Sequence, residues 1–389
     1  MKYNFDEIID RRNTDAIRIE LCEETFGTSD VLPMWIADMD FKTPDFVFEA
    51  IHDRCKSPIL GYTLPPSNFA KTIKNWQYQQ HQWKIDETWV GFISGIVPGV
   101  SFAVQIFSEI GDEVIIQPPV YHPFIHIVEK NKRKLIFNPL KKINGLFEMD
   151  FDDLKSKITA KSKILILCNP HNPGGRTWSE DNLKKLAEIC KENDITVISD
   201  EIHGDMALPG HKHTPFAKVS ETAAQISINF TAPSKTFNMP GLQSASYIIP
   251  NPILRGKLAQ FLDRNEIFNG NIFAYKATIA AYEKGNDWRI QMLEYVQKNI
   301  DYTIDFISKH IPQVKVSKPQ ASFLVWLDFS GTNIPAEDLT SFVVNKAGVA
   351  LNDGRTFGPG GENHLRLNVA CPRKILEIAL EKLKVAFEQ

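Results

Sequence analysis

Between residues 89 and 235 the chain repeats one pattern: a short apolar run, a polar or Gly/Pro-containing loop, and usually a helical stretch. The apolar runs are residues 89–94, 113–116, 163–168, 195–199 and 226–230. Strands that are apolar throughout are buried on both faces, and strands that alternate with helices build mostly parallel sheets. The pattern therefore predicts an α/β fold in which helices cover both faces of a mostly parallel sheet.

Polar residues follow each of these runs, at the point where the run ends. In open α/β sheets, ligands bind beyond the carboxyl ends of the strands, where the following loops meet at one edge. The sequence therefore predicts one pocket built by five loops, which contain Gly95, Tyr121, Asn172, Asp200 and Lys235. Five signals in one arrangement are harder to dismiss than any single one of them.

The last of these loops, residues 231–238, reads TAPSKTFN and places Lys235 among small and hydroxyl residues. Burial lowers the pKa of an amine, so a lysine here suits attack on a carbonyl group, and the hydroxyls suit a phosphate. On this string alone a solvated surface lysine is the more frequent explanation. The chain has 44 Lys and Arg residues, and such residues are mostly exposed.

Three further loops indicate what such a lysine would work with. Gly95 opens a GIVPG segment whose free backbone N–H groups suit an anion, although a tight strand-to-helix turn explains the same residues. Asp200 follows an apolar run, and a buried carboxylate is costly unless it faces a cation such as a protonated pyridine nitrogen. Tyr121 suits stacking on a ring, and Asn172 suits a hydrogen bond to a ring oxygen.

Two other segments carry charged residues whose roles the residue pattern leaves open. Arg366 lies in the alternating run 364–369, where it either holds a substrate carboxylate bidentately or faces solvent. Asp38 and Asp40 lie in an apolar segment, residues 31–41, that suits an arm laid over another domain. Turning or capping the chain there is as good an explanation as contact with a substrate.

Composition limits the class of protein. A net charge of −3 over 389 residues, without a long basic run, argues against nucleic acid or an anionic membrane as partner. No run approaches about 18 uncharged apolar residues, and the charged first 20 residues lack the apolar core of a secretory signal. The five cysteines form no CxxC pair, which predicts a reduced, cytoplasmic protein without a metal site.

The length of the chain favours one large domain and a smaller one. Residues 1–45 are predicted to form an arm that joins the small domain. Residues 46–285 are predicted to form the large domain, and residues 286–389 a small α+β domain with the pattern strand, helix, strand, helix.

Three runs in a fixed order resemble the fold type I pyridoxal-phosphate enzymes of the class I/II aminotransferase superfamily: NPHNPGG (169–175), SDEIHGD (199–205) and SKTFN (234–238). The resemblance covers nearly the whole chain and implies a large sheet of the seven-stranded type. Within the superfamily, the chain is similar to the cystathionine β-lyase, or C–S lyase, branch, which includes the maltose-regulon modulator proteins. The runs that indicate this branch include MWIADMDF, APSKTFNMPGLQ and HLRLNVACP.

The resemblance implies pyridoxal 5′-phosphate as cofactor and assigns roles to five side chains. Lys235 would hold the cofactor covalently and, once freed, remove the proton from the substrate Cα. Asp200 would pair with the pyridine nitrogen, Tyr121 would be a catalytic residue stacked on the ring, and Arg366 would bind the substrate α-carboxylate. Tyr62, also catalytic, would reach the site from a partner subunit, which makes the active unit a homodimer.

The remaining contacts are implied by the same resemblance. Asn172 would reach the phenolic oxygen of the cofactor and, together with Tyr62, the substrate. His203 stands where aminotransferases usually carry a tyrosine, and it would also bind the cofactor. Gln243 stands in place of a phosphate-binding arginine, so the phosphate has one charge-assisted hydrogen bond fewer. The phosphate donors would be the backbone of Gly95 and Ile96 and the hydroxyl groups of Thr231 and Ser234.

The implied activity is α,β-elimination from an amino acid with a β-thioether, which yields a thiol, pyruvate and ammonia. L-Cystathionine would give homocysteine as the thiol. A true aminotransferase is the first alternative, and it would require a keto-acid acceptor. A regulatory protein that acts through its surface, without using Lys235, is the second.

Overall fold

The structure is a computed structural model and describes residues 2–267 and 269–388. The strands in chain order are β1 (Leu32–Pro33), β2 (Val90–Ile93), β3 (Glu113–Ile116), β4 (Lys134–Phe137), β5 (Lys141–Ile143), β6 (Leu146–Glu148), β7 (Ser162–Cys168), β8 (Thr196–Asp200), β9 (Ser227–Thr231), β10 (Ala245–Ile248), β11 (Lys315–Ser317), β12 (Leu324–Asp328), β13 (Val349–Ala350), β14 (Asn352–Asp353) and β15 (His364–Asn368).

The α-helices in chain order are α1 (Ile17–Glu20), α2 (Cys22–Phe26), α3 (Asp45–Cys55), α4 (Phe69–His81), α5 (Ile96–Phe107), α6 (Pro123–Lys130), α7 (Phe151–Lys157), α8 (Glu180–Glu192), α9 (Glu221–Ile226), α10 (Pro252–Arg264), α11 (Ile272–Lys284), α12 (Asn286–His310), α13 (Leu339–Phe342) and α14 (Arg373–Glu388). A π-helical turn, Val343–Ala347, continues α13.

A seven-stranded sheet in the order β2-β10-β9-β8-β7-β3-β4 lies at the centre of the fold. Its neighbours are parallel except around β10, which runs antiparallel to both β2 and β9. The predicted mostly parallel, seven-stranded α/β sheet is confirmed, and all five apolar runs form strands of it. The pattern missed β4 and β10, because β4 is only partly buried and β10 reads ASYI, with small and polar residues.

Helices cover both faces of this sheet, which explains why its central strands are apolar throughout. β7 places Ile164 and Ile166 in a buried cluster with α5 and α6 on one face. Leu165 and Leu167 of the same strand belong to a second cluster with α8 on the other face. Successive side chains of a strand point to opposite faces, so a strand between two helical layers must be apolar at every position.

The C-terminal part of the chain forms a four-stranded antiparallel sheet in the order β11-β12-β15-β14. Val296 of α12, Leu376 of α14 and Leu365 of β15 lie in one buried cluster. In the N-terminal arm, β1 pairs in parallel with β13, with Leu32 opposite Val349. This pairing forms a separate two-stranded sheet that brings the arm to the C-terminal part of the chain, while the division of the chain into three parts remains a prediction.

Between Pro252 and His310 the chain is largely helical, with two interruptions. α10 ends at Arg264, and α11 starts behind Asn271, whose side chain accepts hydrogen bonds from the N–H groups of Phe273 and Ala274. An asparagine at this position satisfies backbone donors that a new helix leaves without partners. α11 and α12 then meet at Gly285.

The loops that follow five strands of the large sheet lie at one edge of it. β3, β7, β8 and β9 are parallel, and β2 points the same way because β10 runs antiparallel to both β2 and β9. Their carboxyl ends therefore share the edge at which α/β sheets bind ligands. Among the helices that the structure describes, none is long and apolar enough to cross a membrane.

Candidate active site

A cavity of about 290 Å³ lies at the carboxyl edge of the seven-stranded sheet. Each of the five predicted loops contributes to its wall, so the predicted convergence on one pocket agrees with the structure. The predicted residues that line the cavity are Gly95, Ile96, Tyr121, Asn172, Asp200, His203, Ser234 and Lys235. Other residues of the wall, among them Ala37 and Cys168, were not predicted.

Lys235 reaches from its loop to the N-terminal arm. Its Nζ atom donates a hydrogen bond of 2.6 Å to the carbonyl oxygen of Ala37. Burial lowers the pKa of Lys235 to about 8, although the Asp38 carboxylate acts in the opposite direction. A sizeable fraction of this amine is therefore neutral near pH 8, and a nucleophile or a general base must be neutral to react.

Asp200 ends β8 and is buried in the wall of the cavity. Its Oδ1 atom accepts a hydrogen bond of 3.0 Å from the N–H of Ile202. Burial, with a smaller contribution from the neighbouring Glu201, raises the pKa of Asp200 to about 7, against the opposing effects of the Ile202 N–H and Lys235. The anionic form of a carboxyl group held in this way is destabilised by burial, and a nearby cation would stabilise it.

His203 and Tyr121 are uncharged polar side chains in the same wall. Burial, with smaller contributions from Lys235 and Arg366, lowers the pKa of His203 to about 3, so its imidazole is neutral. Its Nδ1 atom is buried, and no described residue bonds to it. Burial raises the pKa of Tyr121 to about 12, so this ring remains a neutral phenol. Both side chains can contact a ligand without adding charge.

Arg366 lies inside the C-terminal sheet, between β12 and β14, and is 3% exposed. The solvent-facing alternative is therefore wrong. Its guanidinium group donates to Asn172 Oδ1 at 3.0 Å, Asn352 Oδ1 at 2.6 Å and the carbonyl oxygen of Trp35 at 3.1 Å. None of these partners is charged, so the arginine is a fixed, buried cation that suits a carboxylate ligand.

The anion-binding part of the cavity has little positive charge. Gly95 precedes α5 at a φ of 103°, and the first N–H groups of this helix have no partners within the helix. Ser234, Gln243 and Ser244 complete this part of the lining. Lys235 is the one cationic side chain among the described residues of the wall, so a phosphate here would depend on backbone amides, hydroxyls and an amide side chain.

Three predicted residues do not line the cavity. Thr231 is buried at the end of β9, and Arg366 contacts the site through Asn172. Tyr62 is fully exposed on a loop of its own chain, at 108% of the reference exposure. Its predicted entry into a partner's site is not tested by a single chain.

Residues of the arm and of the C-terminal sheet also hold the site, and sequence reasoning missed them. Ala37 accepts from Lys235, and Asn352 fixes Arg366. Asn368 donates to the carbonyl oxygens of Ile36 and Asp38, both at 2.6 Å. The run MWIADMDF was the one sequence feature that pointed to the arm. Its contacts with the site are made largely by backbone carbonyl groups, which a pattern of side chains does not reveal.

These features fit pyridoxal phosphate. Asp200 offers a carboxylate to a protonated ring nitrogen, and the buried Nδ1 of His203, to which no described residue bonds, can bond to a ligand. Lys235 offers a partly neutral amine to an aldehyde, and the start of α5 offers N–H groups to a phosphate. Among the described residues, the hydrogen-bond partners of Arg366 are uncharged, which leaves its positive charge for the carboxylate of an amino-acid substrate.

Comparison with known proteins agrees with this site. The sequence profile of the aminotransferase class I and II family matches residues 29–383. The chain is 44% identical to the cystathionine β-lyase PatB of Bacillus subtilis, over 98% of this chain and 99% of that protein. It is 32% identical to protein MalY of Escherichia coli, over 96% of each chain.

Among solved structures, the PLP-bound C–S lyase from Staphylococcus hominis superimposes with a TM-score of 0.93 at 36% identity. The match covers 100% of this chain and 99% of that one. The similarity to these proteins confirms the predicted superfamily, the fold type and pyridoxal phosphate as cofactor.

The raised pKa of Asp200 makes a prediction for the cofactor-free protein. A carboxyl group whose pKa is higher in the folded state costs stability as pH rises from its unfolded value, near 4, to its folded value of about 7. Asp200→Asn should therefore be more stable than the wild type, by on the order of 4 kcal/mol at pH 8 and by on the order of 1.5 kcal/mol at pH 5. Urea unfolding at both pH values measures this difference.

The exposed Asp263 provides the matched control, because Asp263→Asn removes a carboxylate that is not buried. It should change stability equally at both pH values. An equal effect of Asp200→Asn at pH 5 and pH 8 would contradict the assignment of Asp200 as a desolvated carboxyl group.

Proposed function

The chain belongs to the aminotransferase class I and II family, and on that premise we propose that it is a pyridoxal-phosphate-dependent carbon–sulfur lyase. The proposed reaction is α,β-elimination from an amino acid with a β-thioether, such as L-cystathionine, to a thiol, pyruvate and ammonia. The observation that carries the proposal is the convergence of Lys235, Asp200 and the Arg366–Asn172 pair on one cavity. The similarity to proteins named as cystathionine β-lyase and C–S lyase supports elimination as the reaction.

When bound, pyridoxal phosphate supplies an electron sink that stabilises negative charge at the substrate Cα. Arg366 binds the substrate carboxylate, and Asn172 and Asn352 hold the guanidinium plane in place. This orientation presents the Cα proton to the amine of Lys235, which burial keeps partly neutral near pH 8. Asp200 would pair with the protonated ring nitrogen, since its buried carboxylate is stabilised by a neighbouring cation.

Elimination then breaks the Cβ–S bond. The electron pair of the Cα–H bond forms the double bond between Cα and Cβ, and the sulfur leaves as a thiolate. After release, the enamine product hydrolyses to pyruvate and ammonia. Burial keeps the imidazole of His203 neutral, so it does not take up a proton in place of Lys235 or Asp200.

We also propose that the active unit is a homodimer in which Tyr62 completes the site of the other subunit. Support comes from the loop 58–66, where large apolar side chains are exposed although a monomer usually covers such groups. Ile59, Leu60 and Leu64 are 74%, 64% and 78% exposed, and Tyr62 is fully exposed. A second copy of this chain would cover them and would supply the tyrosine that a single chain keeps outside its own cavity.

We place this enzyme in a reducing compartment such as the cytoplasm. All five cysteines are free, and four of them are buried. Free, buried thiols are typical of proteins that never meet an oxidising environment.

The lyase reaction needs no second substrate, and this property distinguishes it from transamination. The purified holoenzyme should release pyruvate from L-cystathionine at a steady rate without any keto acid, and Lys235→Ala should abolish the release. A coupled lactate dehydrogenase assay measures pyruvate directly. Turnover that starts only after 2-oxoglutarate is added would contradict the lyase and support an aminotransferase.

Mixing two inactive variants tests whether Tyr62 acts across the dimer. Tyr62→Ala and Lys235→Ala each disable their own homodimer, but a mixed dimer has one site with Lys235 from one chain and Tyr62 from the other. Equal mixing after reversible unfolding should restore about a quarter of wild-type activity, since half of the dimers are mixed and each has one intact site. No gain over the separate variants would contradict a shared site.

A further inference from the structure

Three backbone carbonyl groups of the N-terminal arm contact side chains of the site. The carbonyl oxygen of Trp35 accepts from Arg366 at 3.1 Å, and that of Ala37 accepts from Lys235 at 2.6 Å. Between them, the carbonyl oxygen of Ile36 accepts from Asn368 at 2.6 Å. The arm is therefore part of the wall of the site, and its backbone supplies acceptors for the two cations that the proposed reaction uses.

Asn238 fastens this arm to the loop that carries Lys235. Its side chain donates to the carbonyl oxygens of Met39 and Phe41 at 3.0 and 2.8 Å and accepts from the N–H of Met39 at 2.9 Å. Its own carbonyl oxygen accepts from the Thr43 hydroxyl at 2.7 Å. Asn238 adopts a positive φ of 51°, which asparagine tolerates better than most residues. These four bonds, three residues after Lys235, hold the arm and the lysine loop in one arrangement.

The arm also carries a compact cluster of two acids and two arginines. Asp38 pairs with Arg11 at 2.6 Å and with Arg18 at 3.4 Å. Asp40 pairs with the same two arginines, at 3.0 and 3.2 Å. Arg18 is 1% exposed and also donates to the carbonyl oxygen of Pro33 at 2.7 Å. Both carboxylates therefore pair with the same two arginines, so the effects of substituting Asp38 and Asp40 can be compared directly.

The two acids differ in their relation to the site. Asp38 directly follows Ala37, the acceptor of Lys235, and its carboxylate raises the pKa of that lysine more than Asp200 does. The other ionisable groups that act on or with Lys235 are Arg366, Asp200 and His203. Asp38 therefore lies one residue from the hydrogen-bond acceptor of Lys235, and its negative charge favours the protonated form of that amine.

We propose that Ala37 and Asp38 form the resting position of the free Lys235 amine, and that Asp38 is a positioning residue for it. The carbonyl oxygen of Ala37 accepts one N–H bond, and the fixed carboxylate of Asp38 favours the protonated form. An amine that has just removed the Cα proton is therefore kept charged and within reach of the substrate. This inference rests on the proposed function, which gives Lys235 the role of general base.

The test measures Lys235 itself, in the full-length protein from which the cofactor has been removed. Acetic anhydride labels only neutral amines, and mass spectrometry of the Lys235 peptide gives the extent of labelling at each pH. Asp38→Asn should lower the midpoint of this profile by about 0.5–1 pH unit. At a pH below the wild-type midpoint, Lys235 would then react about three to ten times faster.

Asp40→Asn is the matched control, because it removes one carboxylate from the same two arginines. It should lose a similar amount of thermal stability but leave the midpoint of Lys235 within about 0.2 unit of the wild type. A purely structural role for the arm predicts that both variants move the midpoint equally or not at all. Either of those results would overturn the proposal.

Arg11→Gln keeps the proposal testable if Asp38→Asn does not fold. Arg11 is the more exposed partner of Asp38, with 23% of its side chain accessible. Its removal leaves Asp38 less neutralised, so the midpoint of Lys235 should move upward, opposite to the effect of Asp38→Asn. A downward shift or no shift would contradict the proposal. Because labelling does not depend on turnover, a missing lyase activity would refute the proposed function without affecting this result.

Discussion

The architecture depends on keeping three ionisable side chains, Asp200, Lys235 and Arg366, out of water at one edge of a sheet. Such burial costs several kcal/mol per charge unless hydrogen bonds and opposite charges replace the lost water. Neutral partners supply part of the replacement: a backbone N–H for Asp200, a carbonyl oxygen for Lys235, and two asparagines with a carbonyl oxygen for Arg366. The rest must come from ligands. A cofactor offers a cationic ring nitrogen to Asp200 and an aldehyde to Lys235, and a substrate offers a carboxylate to Arg366.

The parallel sheet brings these polar side chains together from distant parts of the chain. Each central strand is buried on both faces and ends at the same edge, so a polar residue placed just after a strand enters a common pocket. Asp200 and Cys168 illustrate the geometry, because they are paired neighbours on β8 and β7 and both line the cavity. The C-terminal sheet and the arm then close the site from the other side, through Arg366 and Ala37.

Much of this could be predicted from the sequence, since apolar runs with a polar residue at the end report both a buried strand and its exit. The seven-stranded sheet and eight residues of the wall were predicted in this way or by resemblance. Edge strand β4 and the ASYI strand β10 gave no such signal, and the break before α11 depends on one capping side chain, Asn271. Periodicity alone also left two directions open for Arg366, and its burial between β12 and β14 decides between them.

The contacts that could not be predicted join residues far apart in sequence through backbone atoms. Ala37 is 198 residues from Lys235, and its carbonyl oxygen is chemically the same as any other. No local pattern distinguishes such an acceptor, and the charge cluster around Asp38 looked equally suited to turning the chain. The proposed role of Tyr62 cannot be read from one chain, because it depends on a second copy of the chain.

The central claim, that pyridoxal phosphate attaches to Lys235 in this cavity, has one direct test. Borohydride reduction of the yellow holoprotein fixes the cofactor to the amine that holds it, and peptide mapping then locates the modified residue. A single modified peptide that contains Lys235, with loss of the visible absorbance, is the expected result. Modification of a different lysine, or a protein that remains colourless in excess cofactor, would contradict the account.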